Sequence, residues 1–185
     1  MRRIIIVAVA KNYVIGKANG DMSWNVKEDF DHFKSTTIGF PVLMGRKTYG
    51  YFKKPLKNRE HIVITHDKNF DPKHEGVKVF NTLKEGFDYV ETLNKDRMFI
   101  IGGGEVYKQV LQEGLVDEMI ISWMDFEAEG EVSFPRFDKS EWDIVNREKR
   151  EQFEIVHYVR TRVPEYLSTS ELQNFRTSEL RNIRT

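Results

Sequence analysis

The sequence predicts a single α/β domain, with a mainly parallel central sheet, helices on both faces and an antiparallel C-terminal edge. Three observations predict it. Ile4–Ala10 is apolar at every position, the pattern of a central strand covered on both sides. Downstream, short apolar runs alternate with segments of helical periodicity. The domain then closes with two long runs, about Trp142–Arg150 and Gln152–Val163, joined too tightly for anything but an antiparallel pair.

The elements follow in order. Ile4–Ala10 is the first strand. Lys11 to Trp24 reads as a long loop with Gly16 and Gly20, and long loops without structure of their own are uncommon and often functional. A helix spans about Lys27–Ser35. Pro41–Met44 is a short apolar strand, after which Gly45 opens a helix through about Phe52. His61–Thr65 and Val77–Phe80 are strands, and Leu83–Leu93 is a helix. Arg97–Ile101 is a strand running into Gly102, Gly103 and Gly104. A helix from Glu105 to about Leu111 and a strand over Asp117–Met124 precede the final pair, which Pro164 ends.

Residues 164–185 form a tail outside the domain at 1–163. An eight-residue unit, Thr169–Arg176, recurs as Thr177–Arg184. Its apolar residues Leu172, Phe175, Leu180 and Ile183 fall only approximately on one side of a helix. A frayed tail and a short amphipathic helix docking on the domain or on a second copy both fit, and neither carries chemistry.

Composition narrows the function. A length of 185 residues suits one domain with one sizeable core. Lys plus Arg and Asp plus Glu balance at 29 each, so nothing points to nucleic acid, although an anionic cofactor needs only a few basic residues. The lack of cysteine excludes disulfides, thiolate catalysis and Cys-based zinc sites, and it fits a cytoplasmic protein. The basic start followed by an apolar run is short and lacks a small-residue cleavage site, so it reads as a strand rather than a targeting segment. No apolar stretch approaches the roughly 20 residues of a membrane span. The five histidines show no metal-ligand spacing, and no metal is expected.

Three clusters are candidates for chemistry. In the helix at Lys27–Ser35, Val26, Phe30, Phe33 and Thr37 share one side, and Asp29 falls within their stripe. A carboxyl there is partly desolvated, its neutral form favoured, and in need of donors. From spacing alone an acid at the stripe edge, favoured by the helix dipole, is the preferred reading. The Gly102–Gly104 triplet at a strand-to-helix junction suits either close approach of a phosphate or a plain turn. Gly45, Arg46, Lys47 and Thr48 sit at a similar junction, and Thr65 with His66 ends the next strand; each is an anion cradle or a solvated surface. All lie at the carboxyl ends of predicted strands, where open α/β sheets bind ligands. Asp125, Glu127, Glu129 and Glu131 alternate as a solvated face or loop.

Taken together and in order, these segments resemble dihydrofolate reductase over residues 3–163. Val14-Ile15-Gly16 with Met22-Ser23-Trp24-Asn25 is similar to that family's mobile active-site loop. Asp29 with Phe30 and Phe33 is similar to its acidic helix. Pro41 to Thr48 is similar to its cofactor segment, and Ile101 to Tyr107 to its glycine motif. The resemblance implies NADPH as cofactor and reduction of 7,8-dihydrofolate to tetrahydrofolate, by hydride transfer to C6 and protonation at N5, in support of one-carbon metabolism. It implies that Asp29 holds the pterin and assists protonation, with Met22 and Trp24 completing the catalytic group.

On the substrate side, it implies that Ile6, Ile101, Tyr107 and Ser122 contact the pterin. Phe30, Phe33, Phe52 and Leu56 form apolar walls, and Arg59 grips the folate α-carboxylate. Ala8, Ile15, Gly16, Asn19 and Gly20 line the cofactor from the first strand and the loop. Gly45, Arg46, Lys47, Thr48, Thr65 and His66 hold its phosphates, and Gly102, Gly103, Gly104, Glu105, Val106 and Tyr107 complete its site. Antifolates such as methotrexate and trimethoprim are implied ligands. A monomer is expected, with self-association through the tail the alternative.

Three positions depart from the family pattern. Ser23 stands where Pro is common, which removes a φ restraint from the loop. Ser122 stands for a Thr but keeps the hydroxyl. Glu131 stands for an Asp that pairs with the loop in some bacterial members. Two other readings share the fold: a pyrimidinone reductase of riboflavin synthesis, disfavoured by Asp29 and Arg59, and an NADPH-binding module without turnover, disfavoured by Asp29.

Overall fold

A computed structural model of the chain describes residues 1–52 and 54–161. Pro164 and the repeated unit of the tail lie outside the described residues. In chain order the elements are β1 (Arg2–Val9), β2 (Val14–Gly16), α1 (Lys27–Thr37), β3 (Val42–Gly45), α2 (Arg46–Tyr51) and β4 (His61–Ile64). There follow β5 (Val77–Phe80), α3 (Leu83–Thr92), β6 (Arg97–Ile100), α4 (Gly104–Gln112), β7 (Glu118–Met124) and β8 (Val132–Ser133). A short 3-10 turn (Lys139–Glu141), β9 (Trp142–Lys149) and β10 (Phe153–Arg160) complete the domain.

Eight strands form one sheet in the order β5-β4-β3-β6-β1-β7-β10-β9. The pairs from β5 to β7 are all parallel, and β10 runs antiparallel to both β7 and β9. This is the expected mainly parallel α/β sheet with an antiparallel C-terminal edge.

Strand alternation explains why β1 is apolar throughout. Ile4 and Ile6 belong to a layer with Val42, Met44, Val63, Phe99 and Ile101, packed by Phe33 of α1 and Tyr49 of α2. Ile5 and Val9 face the other way, into a layer with Leu43, Ile62, Met98 and Ile100 that α3 and α4 cover through Phe87, Val90, Val106 and Val110. Each such side chain, fully buried, contributes about 1.5–3 kcal/mol. The helix start of α3 is set by a capping box, Thr82 with Glu85. The outer strand β9 is exposed from Asp143 to Lys149 and mostly polar or charged, as a sheet edge exposed to solvent requires.

Short elements depart from the expectation, β2, β8 and the 3-10 turn. The segment Lys11–Trp24, read as loop, contains β2, which pairs antiparallel with β8. Three residues are too few to show a strand period, and their partner lies more than a hundred residues away. Among the described residues no helix is long and apolar enough to cross a membrane.

Candidate active site

The carboxyl ends of β1, β3, β4, β6 and β7 open into one cleft of about 700 Å³. Sheet register brings its parts together. Val42 and Leu43 of β3 pair with Phe99 and Ile100 of β6, and Ile100 pairs in turn with Ile5 of β1. The Ile101 N–H donates to the Leu43 carbonyl at 2.9 Å and the Gly45 N–H to the Gly102 carbonyl at 2.8 Å. The two junctions singled out in the sequence, 45–48 and 102–104, are therefore adjacent.

At this double junction α2 and α4 both begin on glycine N-caps, Gly45 and Gly103, with no side-chain cap. Their first amides keep their donors for whatever occupies the cleft. A Cβ on Gly103 would stand 3.1 Å from the Thr48 hydroxyl oxygen. At Gly104 a Cβ would stand 2.7 Å from the Val132 side chain, so packing on β8 also demands glycine there. Arg46 and Lys47 are exposed along the rim; Arg46 forms a loose ion pair with Asp67 at 3.9 Å and sits 5.9 Å from the Phe70 ring centroid. Thr65 is buried and braces the next turn, its hydroxyl accepting the Asp67 N–H at 3.2 Å and its carbonyl accepting Asn81 Nδ2 at 2.7 Å.

The loop between β2 and α1 is tied on both sides of one residue, Ala18. The Ala18 N–H donates to Glu131 Oε2 at 2.9 Å, and Lys47 Nζ donates to the Ala18 carbonyl at 3.0 Å. The Ala18 amide bond holds the Glu131 carboxyl below its ordinary range. Gly20 takes a left-handed φ of 98° and lies so close to α2 that a Cβ would meet the Lys47 carbonyl oxygen at 2.5 Å. Asn19 and Asp21 brace each other, with Asn19 Nδ2 donating to Asp21 Oδ2 at 2.9 Å.

The remaining wall comes from α1 and its surroundings. Burial pushes the Asp29 carboxyl above its ordinary value, and a hydrogen bond from the Ser122 hydroxyl partly offsets that. Phe30, Phe33 and Phe52 form a ladder of near-parallel rings with centroids 6.0 and 6.5 Å apart. Phe30 is 40% exposed, a large apolar surface left open at the cleft. Tyr107 is buried, its hydroxyl donating to the Ile6 carbonyl at 2.9 Å, and burial raises its pKa so that the phenol stays protonated.

Most residues singled out in the sequence line this cleft: Ile6, Ala8, Ile15, Gly16, Gly20, Met22, Asp29, Phe30, Phe33, Phe52, Thr65, His66 and Ser122, with 45–48 and 101–107. Asn19, Trp24, Leu56 and Arg59 do not. Trp24 packs edge-on against Phe126 at 5.7 Å, and its Nε1 is buried without a partner. Leu56 packs in the layer of Phe33 and Phe52. Arg59 donates from Nε to the Thr37 hydroxyl (3.0 Å), from Nη1 to the Lys57 carbonyl (2.9 Å) and from Nη2 to the Lys34 carbonyl (2.6 Å). Of its five N–H donors, one on each Nη stays unused by these bonds, a two-pronged fork.

The cleft also includes residues that sequence reading did not select, among them His32, Tyr51, Lys108, Val132 and Phe134. Helical spacing from Asp29 and Gly104 points to His32 and Lys108. Val132 and Phe134 arrive by the pairing of β8 with β2, for which the sequence carries no local signal.

Comparison with known proteins agrees with this geometry. The family described as dihydrofolate reductase matches residues 3–163. The chain is 33% identical over 166 residues to dihydrofolate reductase HdrB of Haloferax volcanii, covering 86% of this chain and 84% of that protein. It is 34% identical over 144 residues to dihydrofolate reductase of Bacillus subtilis (strain 168), covering 78% of this chain and 82% of that protein. Among solved structures, dihydrofolate reductase from Enterococcus faecalis complexed with NADP(H) and RAB-propyl superposes with a TM-score of 0.78 at 27% identity, covering 87% of this chain and 97% of that one.

Proposed function

The chain belongs to the dihydrofolate reductase family, and on that premise we propose how its own residues carry out the reaction. It is an NADPH-dependent reductase that converts dihydrofolate to tetrahydrofolate and binds antifolate inhibitors. NADPH supplies the hydride delivered to C6 of the pterin. The protein's part is to orient, to exclude water and to handle the proton at N5.

The observation that carries the assignment is Asp29: a carboxyl raised by burial, facing the cleft onto which two uncapped helix starts also open. A partly desolvated acid is suited to hold the amino-pyrimidine edge of the pterin and to assist protonation near neutral pH. Ser122 steadies its carboxylate. Ile6, Ile101 and Tyr107 shape the pterin floor, and Met22 and Trp24 complete the catalytic group beside it. Phe30, Phe33, Phe52 and Leu56 wall the apolar middle of the folate, and the free fork of Arg59 takes its α-carboxylate bidentately.

The residues at the other end fit an anionic dinucleotide. The helix-start amides that follow Gly45 and Gly103, with Arg46, Lys47, Thr48, Thr65 and His66, supply donors and positive charge for its phosphates. Ala8, Ile15, Gly16, Asn19, Gly20, Glu105 and Val106 enclose the rest.

The test is oxidation of NADPH with dihydrofolate, with and without methotrexate. Methotrexate-sensitive turnover is expected. NADPH binding without folate-dependent oxidation would overturn the assigned catalytic role.

We assign the catalytic domain to 1–163, acting in the cytoplasm as a monomer, with the repeated tail at 164–185 outside it. Sedimentation of the full chain against a truncation at Pro164 checks the last point. Identical monomers are expected, and a larger full-length species would assign the tail to assembly.

A further inference from the structure

His61 opens β4 and is only 3% exposed, yet nothing in the reaction uses it. Its ring closes a clasp on the segment that precedes it. Nε2 accepts the Leu56 N–H at 2.9 Å, and Nδ1 lies 3.0 Å from the Arg59 carbonyl. An acceptor at Nε2 and a donor at Nδ1 is the arrangement of one neutral tautomer. Burial favours that neutral form by lowering the imidazole pKa.

The segment so held is a tight one. Asn58 takes a left-handed φ of 57°, and its carbonyl accepts the Gly39 N–H at 2.9 Å. The Glu60 carbonyl accepts the Val42 N–H at 2.8 Å, which ties the segment to β3. Between these anchors lie Leu56, which packs with Phe33 and Phe52, and Arg59, whose guanidinium rests on Thr37, Lys57 and Lys34. One buried side chain thus bonds the backbone at both residues that the substrate side draws from this segment.

We propose that His61 is a positioning residue for folate: its imidazole fixes the backbone of residues 56–59, which places the Leu56 wall and aims the Arg59 fork. The inference rests on the reading of Arg59 as the carboxylate grip. It separates the two ends of the cleft, because His61 bonds nothing on the cofactor side.

The experiment measures methotrexate and NADPH affinities for His61→Leu, His61→Asn, Arg59→Leu and the double variant His61→Leu/Arg59→Leu, with amide exchange at Leu56 as a direct readout. Leu approximates the ring's bulk without its hydrogen bonds, and Asn keeps a donor and an acceptor. His61→Leu is expected to weaken methotrexate roughly five- to tenfold, the worth of one to two neutral hydrogen bonds. NADPH affinity stays within about twofold in that variant, the range of an untouched site. The Leu56 amide exchanges faster, Asn restores most of the loss, and the double variant loses less than the sum of the two single losses, because part of the His61→Leu effect runs through Arg59.

Fully additive losses in the double variant, or unchanged methotrexate affinity in His61→Leu while Arg59→Leu weakens it, would overturn the positioning role and leave Arg59 in place. No effect of Arg59→Leu would remove the Arg59 reading and this inference with it. If His61→Leu fails to bind NADPH, the smaller His61→Ala decides on the same ratio of the two affinities.

Discussion

Around residues 45–48 and 101–104 the cleft is walled by strand ends and helix starts that sheet register holds in place. Around Asp29 it is walled by side chains of α1, with Trp24 and Arg59 on nearby loops outside the lining. The first region offers main-chain amides and a rim of positive charge, sufficient for a ligand whose phosphates never change. The second holds polar groups that the protein leaves unspent: the raised Asp29 carboxyl, two free N–H donors on Arg59, and buried Trp24 Nε1, Ser23 Oγ and His32 Nε2 with no partner. Buried unsatisfied groups destabilise a fold. On the proposed function that side is where the protein does chemistry, and the orderly side is where it holds.

The sharpest way to break that contrast is Asp29→Asn. Hydride-transfer rate at neutral pH should fall by about 10²–10⁴, the usual worth of a positioned acid, with NADPH affinity nearly unchanged. Equal losses in both, measured by single-turnover kinetics and cofactor titration, would erase the division. A somewhat smaller effect tests the holding side. Replacing Arg46 and Lys47 together with Leu and Met should weaken NADPH roughly ten- to a hundredfold and NADH much less, as expected for lost charge-assisted bonds to a phosphate. Comparable losses for both cofactors would place these residues away from the extra phosphate.

Smaller still is Glu131→Ala, which frees the Ala18 amide. Steady-state turnover should shift a few-fold, since one exposed bond to a charged group is weak and loop gating governs ligand exchange rather than chemistry. A changed single-turnover rate would assign the loop a direct part in hydride transfer.

The smallest effect concerns stability. The Asp29 pKa in the fold lies above its ordinary value of 3.8, so ionising it opposes folding. The opposition is absent below the unfolded pKa and complete above the folded one. Asp29→Asn should therefore raise Tm at neutral pH relative to the parent, and the difference should shrink as pH falls through the folded pKa. A Tm gain that persists undiminished in acid would mean a packing effect instead.

Much of this was legible from the residues alone. The double-faced apolar run of β1, the Val77–Phe80 strand and the helix around Asp29 have local causes, and local pattern finds them. The adjacency of Gly45 and Gly102 was legible only as two similar junctions at one end of a sheet; register made them neighbours. The β2–β8 pair stayed hidden because neither strand is long enough to show a period. By pattern alone Glu131 read as one of a row of solvated acids, and only the family resemblance pointed to a pairing with the loop; its bond to Ala18 forms beside that hidden pair. His61 read as the first residue of a strand and no more. Its bonds run backwards to a loop, and no periodicity records which backbone groups a buried ring will meet. Arg59 and Trp24 were singled out only by family resemblance, and both pack outside the cleft lining.

The strand order has a consequence for how the protein comes into being. β1 is made first, but its neighbours in the sheet are β6 and β7, and β3 meets β1 only through β6. A nascent chain that has emerged no further than Lys95 has Arg46, Lys47 and Thr48 in hand but nothing to set them against, because the Gly102 carbonyl that receives the Gly45 amide does not yet exist. The first half of the polypeptide must leave the ribosome with a gap in its sheet and wait for β6 to be threaded into it. NADPH therefore cannot act as a template for the early stages of birth; it can reward only a chain more than half made.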